Sequence, residues 1–303
     1  MRIVYSPRYH IDIGSHIFPT RKYQLLHERI RAAHPDIEVV EPEPASWADL
    51  GLVHTREYLR KIERGDFDPG ELAQLEVPWS PAIVEGFRLM TGGTLCAANL
   101  AMAAGRDVIC HIGGGFHHAF ANHGEGFCLF NDVAIAICRL LADRSIERAA
   151  VVDLDVHYGN GTAFIFETEP RVFTFSMHQQ NNYPHFKPRG SLDVGLPDRA
   201  DDSVYLDRLT SAMELVLAHD PDVIFYLAGA DPYRDDQLGG LALTKDGLRR
   251  RDRIVLEACA SHDISGVVVL AGGYAWNIDD TVDIHYATVE EARLTARSGP
   301  PLS

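Results

Sequence analysis

The sequence predicts an α/β fold built around a mostly parallel β-sheet. Short runs of β-branched and aromatic residues, apolar on both faces, alternate with helical segments along the second half of the chain. Strands of that kind are typical of a parallel sheet that helices cover on both sides. No linker, charge block or internal repeat interrupts the alternation, and we therefore expect residues 1–303 to form a single domain.

The individual elements follow from local patterns. The first strand is predicted at residues 2–5, and the later strands are predicted at 108–111, 150–154, 172–175, 223–227 and 267–270. Helices are predicted at 19–33, 132–141, 203–219 and 246–261. A further helix begins at Ser80-Pro81, an N-cap residue followed by a proline at the first helical position, and Gly105 ends it. This order predicts parallel strands joined by right-handed crossovers.

The composition limits the partners and the compartment. With 28 basic and 43 acidic residues the chain has a net charge of −15, which disfavours direct contact with nucleic acid and is compatible with a cationic partner. The five cysteines lie mostly in apolar segments and include no CxxC pair, as expected of reduced thiols in the cytoplasm. No apolar run approaches the roughly 18 residues of a membrane span, and the first residues carry no apolar signal segment.

Polar residues and glycines follow five of the predicted strands, at the point where each strand ends. They occupy residues 113–118, 155–160, 176–178, 229–231 and 272–274. Because ligands of open α/β sheets bind at the carboxyl ends of the strands, we expect one active site at that edge, in loops held by a rigid scaffold.

Three of these residues have the chemistry of a metal site. Asp155 and His157 stand two residues apart in an extended segment and therefore point the same way. Asp231, at the end of another strand, can complete the set. Two carboxylates and one imidazole leave a fourth position for water, as catalytic Zn²⁺ requires, and they would also admit Mn²⁺, Fe²⁺ or Co²⁺. Asp155-x-His157 alone fits a polar loop equally well, and the polar ends of the other strands argue against that interpretation.

Further residues at the same edge could move protons. His117 and His118 follow three glycines that let a ligand approach the backbone closely, and two imidazoles near a metal could take a proton from water and return it to a leaving amine. Asp153 could orient one imidazole and raise its basicity, whereas Asn160 could orient the other without adding charge. Tyr274, after two glycines, could donate to a carbonyl oxygen that becomes an oxyanion.

These motifs, taken together and in their order, resemble the histone deacetylase family, which has the arginase/deacetylase fold. The matching segments are residues 113–118, 126–128, 131–132, 153–162, 229–231, 238–240 and 272–274. Residues 4–9, 54–59 and 238–241, with Gly247 and Arg251-Asp252, look like the class IV branch in particular. The resemblance implies a single-domain, three-layer αβα fold with about eight strands and an active site at their carboxyl ends.

The resemblance also implies roles for the residues at that edge. The zinc ligands of the family match Asp155, His157 and Asp231. The tandem histidines, their two partners and the oxyanion-stabilising tyrosine match His117, His118, Asp153, Asn160 and Tyr274. The asparagine at 160 departs from family members that have aspartate there and looks like the class II and IV branches.

Substrate and cation sites are implied in the same way. Gly126 and Phe127 match one wall of a tunnel for acyl-lysine, and the candidates for the opposite wall are Tyr183, His185 and Phe186. A structural monovalent cation, expected to be K⁺, would use Ser176 and Met177 together with Asp153, Asp155 and His157.

The function implied is zinc-dependent hydrolysis of an acyl-lysine amide in a protein or peptide, with an acetyl or longer fatty acyl group. The first alternative is the same chemistry on an acylated small amine such as a polyamine, with which the acidic charge is compatible. A binuclear manganese ureohydrolase would need further bridging aspartates where the chain has His117, His118 and Tyr158. A non-catalytic acyl-lysine binding module would be expected to lack a ligand, a histidine of the pair or the tyrosine, and all of them are present.

Overall fold

The computed structural model describes residues 1–103, 105 and 107–297. Within them the strands are β1 (Arg2–Val4), β2 (Glu38–Val40), β3 (Val108–His111), β4 (Ala149–Asp153), β5 (Val172–Gln179), β6 (Leu192–Leu196), β7 (Val223–Leu227) and β8 (Ser265–Val269). The helices are α1 (Arg21–Ala33), α2 (Trp47–Leu50), α3 (Arg56–Arg64), α4 (Pro69–Leu75), α5 (Pro81–Ala103), α6 (Asp132–Ala142), α7 (Asn160–Phe166), α8 (Asp202–Ala218), α9 (Lys245–Ser261) and α10 (Ile278–Arg297).

All of these strands join one sheet, in the order β2-β1-β3-β8-β7-β4-β5-β6. Every neighbouring pair is parallel, which confirms the predicted parallel sheet. Asp153, the last residue of β4, pairs with Ser176 of β5 and with Leu227 of β7. The carboxyl ends of the central strands therefore lie level with one another at one edge of the sheet.

The four central strands are buried on both faces. Every residue of β3, β4, β7 and β8 is buried, and alternate residues enter two separate core clusters. Ala150 and Val152 belong to one cluster, whereas Val151 belongs to the other. Because successive side chains of a strand point to opposite faces, the two clusters are two apolar layers with the sheet between them.

The predicted bounds hold best in the middle of the sheet and fail at its edges. Strands β3 and β7 have the predicted bounds, whereas β2 and β6 were not predicted. The prediction that Ser176 to His178 form a loop after a strand is wrong, because β6 pairs with β5 as far as Gln179 and extends it. The helices α2, α3, α4, α7 and α10 were also not predicted. Among the described residues, no helix has the length and apolar character needed to cross a membrane.

A buried ion pair on α9 connects helices α9 and α10 to β7 and to the loop at its carboxyl end. Arg251 and Asp252 of α9 are fully buried and bound to each other, with Nη2 2.7 Å from Oδ1. Arg251 also donates to the carbonyl oxygen of Gly229, just after β7 (2.5 Å). Asp252 accepts hydrogen bonds from the hydroxyls of Tyr226 on β7 and Thr288 on α10. This network fixes the loop that carries Asp231.

Removing the acidic partner of this network should destabilise the whole fold. Asp252→Ala is expected to lower the free energy of unfolding by about 3–5 kcal/mol, because it leaves the guanidinium of Arg251 buried without a counter-charge. The measurement is urea denaturation followed by circular dichroism. The control is Glu257→Ala, on the exposed side of the same helix, which should change that free energy by less than about 0.5 kcal/mol. Equal, small changes in both variants would contradict the structural role given to Asp252.

Candidate active site

The carboxyl ends of β3, β4, β7 and β8 open into one cavity of about 210 Å³. Its lining comes from segments far apart in the chain. It includes Phe18, His117, His118, Phe127, Asp155, His157, Tyr183 and Tyr274. The sheet order explains the convergence, since β3, β8, β7 and β4 are consecutive neighbours in the sheet.

Asp155, His157 and Asp231 lie together, as their positions after β4 and β7 predict, and Asp155 and His157 line the cavity. One ligand atom from each residue lies within 4.8 Å of the others, and all three residues are buried. The Nδ1 atom of His157 is 2.9 Å from Oδ1 of Asp155 and 3.4 Å from Oδ2 of Asp231. The amide of Val156 donates to Oδ1 of Asp231 (2.9 Å) and that of Gly272 donates to Oδ2 of Asp155 (2.7 Å). Backbone groups thus hold both carboxylates in place.

The electrostatics of these three residues call for a cation. Burial and the neighbouring charge of Asp155 raise the pKa of Asp231 to about 7. Burial lowers the pKa of His157, but the hydrogen bond to Asp155 and the negative charges of Asp155 and Asp231 outweigh it and raise the pKa to about 10. Oδ2 of Asp231 is buried without a hydrogen-bond donor among the described residues. Without a metal, the positive charge of protonated His157 offsets the charge of the two carboxylates. Two carboxylate oxygens and one imidazole nitrogen are also a ligand set that fits a divalent metal such as zinc.

Glycine is required where the chain passes closest to the carboxylates. A Cβ atom at Gly272 would lie 1.9 Å from Oδ2 of Asp231 and 2.6 Å from Oδ2 of Asp155. Gly115 has a φ of +90° and a Cβ there would be 2.8 Å from the backbone of Ala271. Both glycines let loops of neighbouring strands approach closely, as the glycine runs after β3 and β8 suggest.

The two consecutive histidines face each other and have different partners. Their Nε2 atoms are 3.1 Å apart. Nδ1 of His117 is 2.7 Å from Oδ2 of Asp153, and Nδ1 of His118 is 2.7 Å from Oδ1 of Asn160. The structure therefore brings together the four residues that the sequence assigned to the pair.

Because their partners differ, the two imidazoles have different pKa values. Burial lowers the pKa of His117, but the charges of Asp153 and Asp155 outweigh it and raise the pKa to about 9. Burial and the positive charges of His117 and His157 hold the pKa of His118 well below its usual value. At neutral pH His117 is thus the cation of the pair and His118 the neutral imidazole.

Tyr274 lies beside the Asp-His-Asp group, on the loop that follows β8. Its ring centroid is 6.4 Å from that of His157. Asp236 accepts a hydrogen bond from its backbone amide (2.6 Å), and the Nε2 group of Gln237 donates to its carbonyl oxygen (2.8 Å). Burial raises the pKa of the phenol well above its usual value. Tyr274 is therefore a fixed, neutral hydrogen-bond donor.

Two aromatic rings form the walls of the cavity. Phe127, next to Gly126, has a φ of +68° and its ring lies 6.0 Å from that of Tyr274. Tyr183 stands on the other side, with its ring 5.0 Å from that of His118. Of the three candidates for this wall, His185 is exposed and Phe186 is 60% exposed and directed toward Phe120, so the structure favours Tyr183.

The residues assigned to a monovalent cation are also adjacent. Ser176 lies opposite Asp153 in the pairing of β4 with β5, and Met177 follows it. The cation itself and its identity as K⁺ stay predictions.

Three charged residues of the site were not predicted. Lys22 of α1 is buried and its Nζ donates to the carbonyl oxygen of Ala271 (2.7 Å), 5.9 Å from the ring of Tyr274. Burial lowers the pKa of Lys22 to about 8, against the opposing charges of nearby aspartates. Asp236 fixes Tyr274, and Glu125 accepts a hydrogen bond from the amide of Asn160 (2.8 Å). In the sequence, Glu125 and Asp236 stand beside recognisable motifs, which is the only local signal, and Lys22 looks like an ordinary solvent-facing helical lysine.

Comparison with known proteins agrees with this geometry. A family model described as the histone deacetylase domain matches residues 16–289. An uncharacterised protein of Picosynechococcus is 41% identical over 297 residues, covering 96% of this chain and 98% of the relative. Histone deacetylase 2 of Arabidopsis thaliana is 32% identical over 252 residues, covering 78% of this chain and 63% of the plant protein. The acetoin utilization protein AcuC of Bacillus subtilis is 29% identical over 304 residues, covering 91% of this chain and 78% of that protein.

A solved structure has the same architecture. The crystal structure of the HDA15 HD domain is similar with a TM-score of 0.80 at 21% identity, covering 97% of this chain and 91% of that domain. This likeness confirms the predicted arginase/deacetylase-like α/β fold. The family model and the relatives show that the chain belongs to the histone deacetylase family. Its place in the class IV branch stays a prediction.

Metal binding should depend on the buried carboxylates and not on the acidity of the loop around them. Asp231→Asn is expected to weaken zinc binding by more than about 100-fold, beyond the 10–100-fold typical of residues that only support a ligand. The measurement is calorimetric titration of zinc into metal-free protein. The control is Asp235→Asn, an exposed carboxylate four residues along the same loop, which should leave the affinity unchanged. Zinc affinity that survives Asp231→Asn would refute the assigned ligand set.

Proposed function

We propose that the protein is a zinc-dependent amidohydrolase that removes an acetyl or longer fatty acyl group from lysine side chains of proteins or peptides. One observation carries the proposal: a histidine pair, a phenol and two members of a buried Asp-His-Asp group, Asp155 and His157, line one cavity with aromatic walls. Membership of the histone deacetylase family supports the reaction class.

The residues present divide the chemistry among them. A divalent ion held by Asp155, His157 and Asp231 would supply Lewis acidity, which polarises a carbonyl and acidifies water. The neutral imidazole of His118 is suited to accept the proton of the attacking water through Nε2. The phenol of Tyr274 is suited to donate to the carbonyl oxygen as that oxygen gains negative charge.

The leaving nitrogen needs a proton in the second half of the reaction. The histidine pair supplies it, because the proton that His118 has taken can pass to the amine as the C–N bond breaks. His117, kept cationic by Asp153, balances negative charge that develops beside it. Hydrolysis then yields a carboxylate and free lysine, and consumes one water.

The walls of the cavity favour a slim, unbranched substrate. Phe127 and Tyr183 flank the path to the Asp-His-Asp group and suit the methylene chain of an acylated lysine. Glu76 also lines the cavity, and together with the net charge of −15 it favours a second candidate, the same hydrolysis of an acylated small amine such as a polyamine.

Loss of the phenol should slow the reaction without loss of the metal. Tyr274→Phe is expected to lower kcat about 100- to 1000-fold, the usual cost of removing one oxyanion donor. The measurement is steady-state hydrolysis of an acyl-lysine peptide by zinc-loaded protein, with the zinc content determined in parallel. Tyr286→Phe, on α10, is the matched control and should keep the wild-type rate. A Tyr274→Phe enzyme of full activity would show that the phenol has no part in the reaction.

The substrate class can be tested with one purified enzyme. A series of acyl groups of increasing length on one lysine peptide, compared with acetylspermidine, is expected to give higher kcat/KM on the peptides. A chelator should abolish hydrolysis and added zinc should restore it, because a divalent ion at the Asp-His-Asp group would polarise the carbonyl and acidify the attacking water. Faster hydrolysis of acetylspermidine would favour the polyamine alternative. Binding of the peptides without hydrolysis by the zinc-loaded protein would favour a binding module.

A further inference from the structure

Glu125 lies next to the cavity wall: it precedes Gly126 and Phe127 in the chain and contacts Tyr183. Its side chain is 13% exposed. Oε1 accepts hydrogen bonds from the Nδ2 group of Asn160 (2.8 Å) and from the hydroxyl of Tyr183 (3.0 Å). Oε2 accepts one from Gln74 (2.9 Å) and lies 3.6 Å from Nε2 of His123. One carboxylate thus collects donors from three distant segments and lies close to His123 of its own loop.

A tight backbone turn from Glu125 to Cys128 determines which way the Glu125 side chain points. Its amide donates to the carbonyl oxygen of Cys128 (3.2 Å), and the amide of Cys128 donates back to the carbonyl oxygen of Glu125 (2.9 Å). The two residues between them, Gly126 and Phe127, have φ values of +52° and +68°. This tight turn places Phe127 on the cavity wall and leaves the side chain of Glu125 in contact with Asn160 and Tyr183.

The chemistry of the donors and acceptors fixes the direction of every hydrogen bond from Glu125 to the histidine pair. A carboxylate only accepts, so Asn160 must turn its NH₂ group toward Glu125. Its Oδ1 atom is then left facing Nδ1 of His118, at 2.7 Å. Because that oxygen only accepts, Nδ1 of His118 must carry the hydrogen, and the lone pair stays on Nε2, which lies 3.1 Å from Nε2 of His117.

Asn160 could not impose this direction by itself. An amide offers an acceptor on one end and a donor on the other, and a rotation by 180° would present NH₂ to His118. The imidazole would then hold its hydrogen on Nε2, where a base needs a lone pair. Burial raises the pKa of Glu125, but hydrogen bonds from His123, Gln74, Asn160 and Tyr183 outweigh it and lower the pKa to about 2. Glu125 therefore remains an acceptor at neutral pH.

The same oxygen also holds the aromatic wall. The ring of Tyr183 is 5.0 Å from that of His118, at an angle of 83°, and its hydroxyl donates to Oε1 of Glu125. The position of the wall and the direction of the Asn160 amide thus depend on one atom.

We propose that Glu125 is a positioning residue: through Asn160 it keeps His118 in the tautomer with hydrogen on Nδ1 and a lone pair on Nε2, and it anchors Tyr183 at the cavity wall. The expected effect of Glu125 on the reaction rate rests on the proposed hydrolase function, whereas its effect on the tautomer of His118 does not.

The direct test is a spectroscopic measurement of the tautomer. The full chain, zinc-loaded and ¹⁵N-labelled, is studied at neutral pH by two-bond ¹H–¹⁵N correlation, with His118 assigned from a His118→Ala spectrum. The wild-type protein is expected to have hydrogen on Nδ1 of His118. Glu125→Gln, which has the same shape but can also donate, should shift the ¹⁵N frequencies toward a mixture of tautomers. Wild-type protein with hydrogen on Nε2, or a Glu125→Gln spectrum identical to the wild type, would overturn the proposal.

Steady-state kinetics distinguish the two roles proposed for Glu125, the orientation of His118 and the anchoring of Tyr183. Glu125→Gln is expected to lower kcat about 10- to 100-fold, as is typical when a residue that orients a catalytic imidazole is lost. Tyr183→Phe keeps the ring and removes only its hydroxyl, so it should raise KM and leave the His118 tautomer unchanged. Gln74→Leu removes a donor from the other carboxylate oxygen and is the matched control, with kcat, KM and spectrum of the wild type. A Glu125→Gln effect on KM alone would assign the residue to the wall and refute its action on His118.

The outcomes also separate this proposal from the function. If the wild-type protein hydrolyses no acyl-lysine peptide but the tautomer responds to Glu125→Gln, the proposed function fails and the positioning role stands. If the enzyme is active and neither the tautomer nor kcat responds, the positioning role fails and the function stands.

Discussion

Two carboxylates buried side by side, Asp155 and Asp231, are the constraint on which the rest of this structure depends. An ionised carboxylate loses several kcal/mol when it leaves water, and two neighbours repel each other as well. The fold compensates with backbone amides of Val156 and Gly272 and with the imidazole of His157. These groups come from the ends of different strands, so the cluster can exist only where β4, β7 and β8 are neighbours. The parallel sheet is therefore the means by which the charges are brought together and offset.

Buried side chains of the surrounding helices also help to position these two carboxylates. Arg251 binds the carbonyl oxygen of Gly229, two residues before Asp231, and Asp252 links it to α10 through Thr288. Lys22 of α1 binds the carbonyl oxygen of Ala271, next to Gly272. Two buried cations thus hold the two loops that position the carboxylates. Both make their contact through backbone oxygens, which fixes the loops and leaves the carboxylate oxygens available for a metal.

The sequence predicted those parts of the molecule in which local pattern and tertiary environment agree. Strands β3 and β7 were predicted to the residue, since runs buried on both faces are apolar throughout. Asp155 and His157 were predicted as a pair because the two-residue spacing alone directs them together. Strands β2 and β6 were missed because β2 has only three residues, none of them fully buried, and β6 alternates between half-buried and exposed residues before the buried Leu196. Lys22 and Glu125 were missed because their burial depends on partners from distant segments, which no local pattern encodes.

The buried charges of the site explain why the histidine pair has unlike partners. Asp153, Asp155 and Asp231 bring three negative charges into one desolvated region. A divalent ion held there would offset two of them, and an imidazolium at His117, hydrogen-bonded to Asp153, offsets the third. A second carboxylate beside His118 would add a fourth charge and turn that imidazole into a second cation, without a lone pair for a proton. The chain instead places the neutral amide of Asn160 there and keeps the carboxylate of Glu125 one residue further away, where it directs the amide but does not contact the imidazole. His118 can thus remain a neutral imidazole although the charged groups of Asp153, Asp155 and His117 lie close to it.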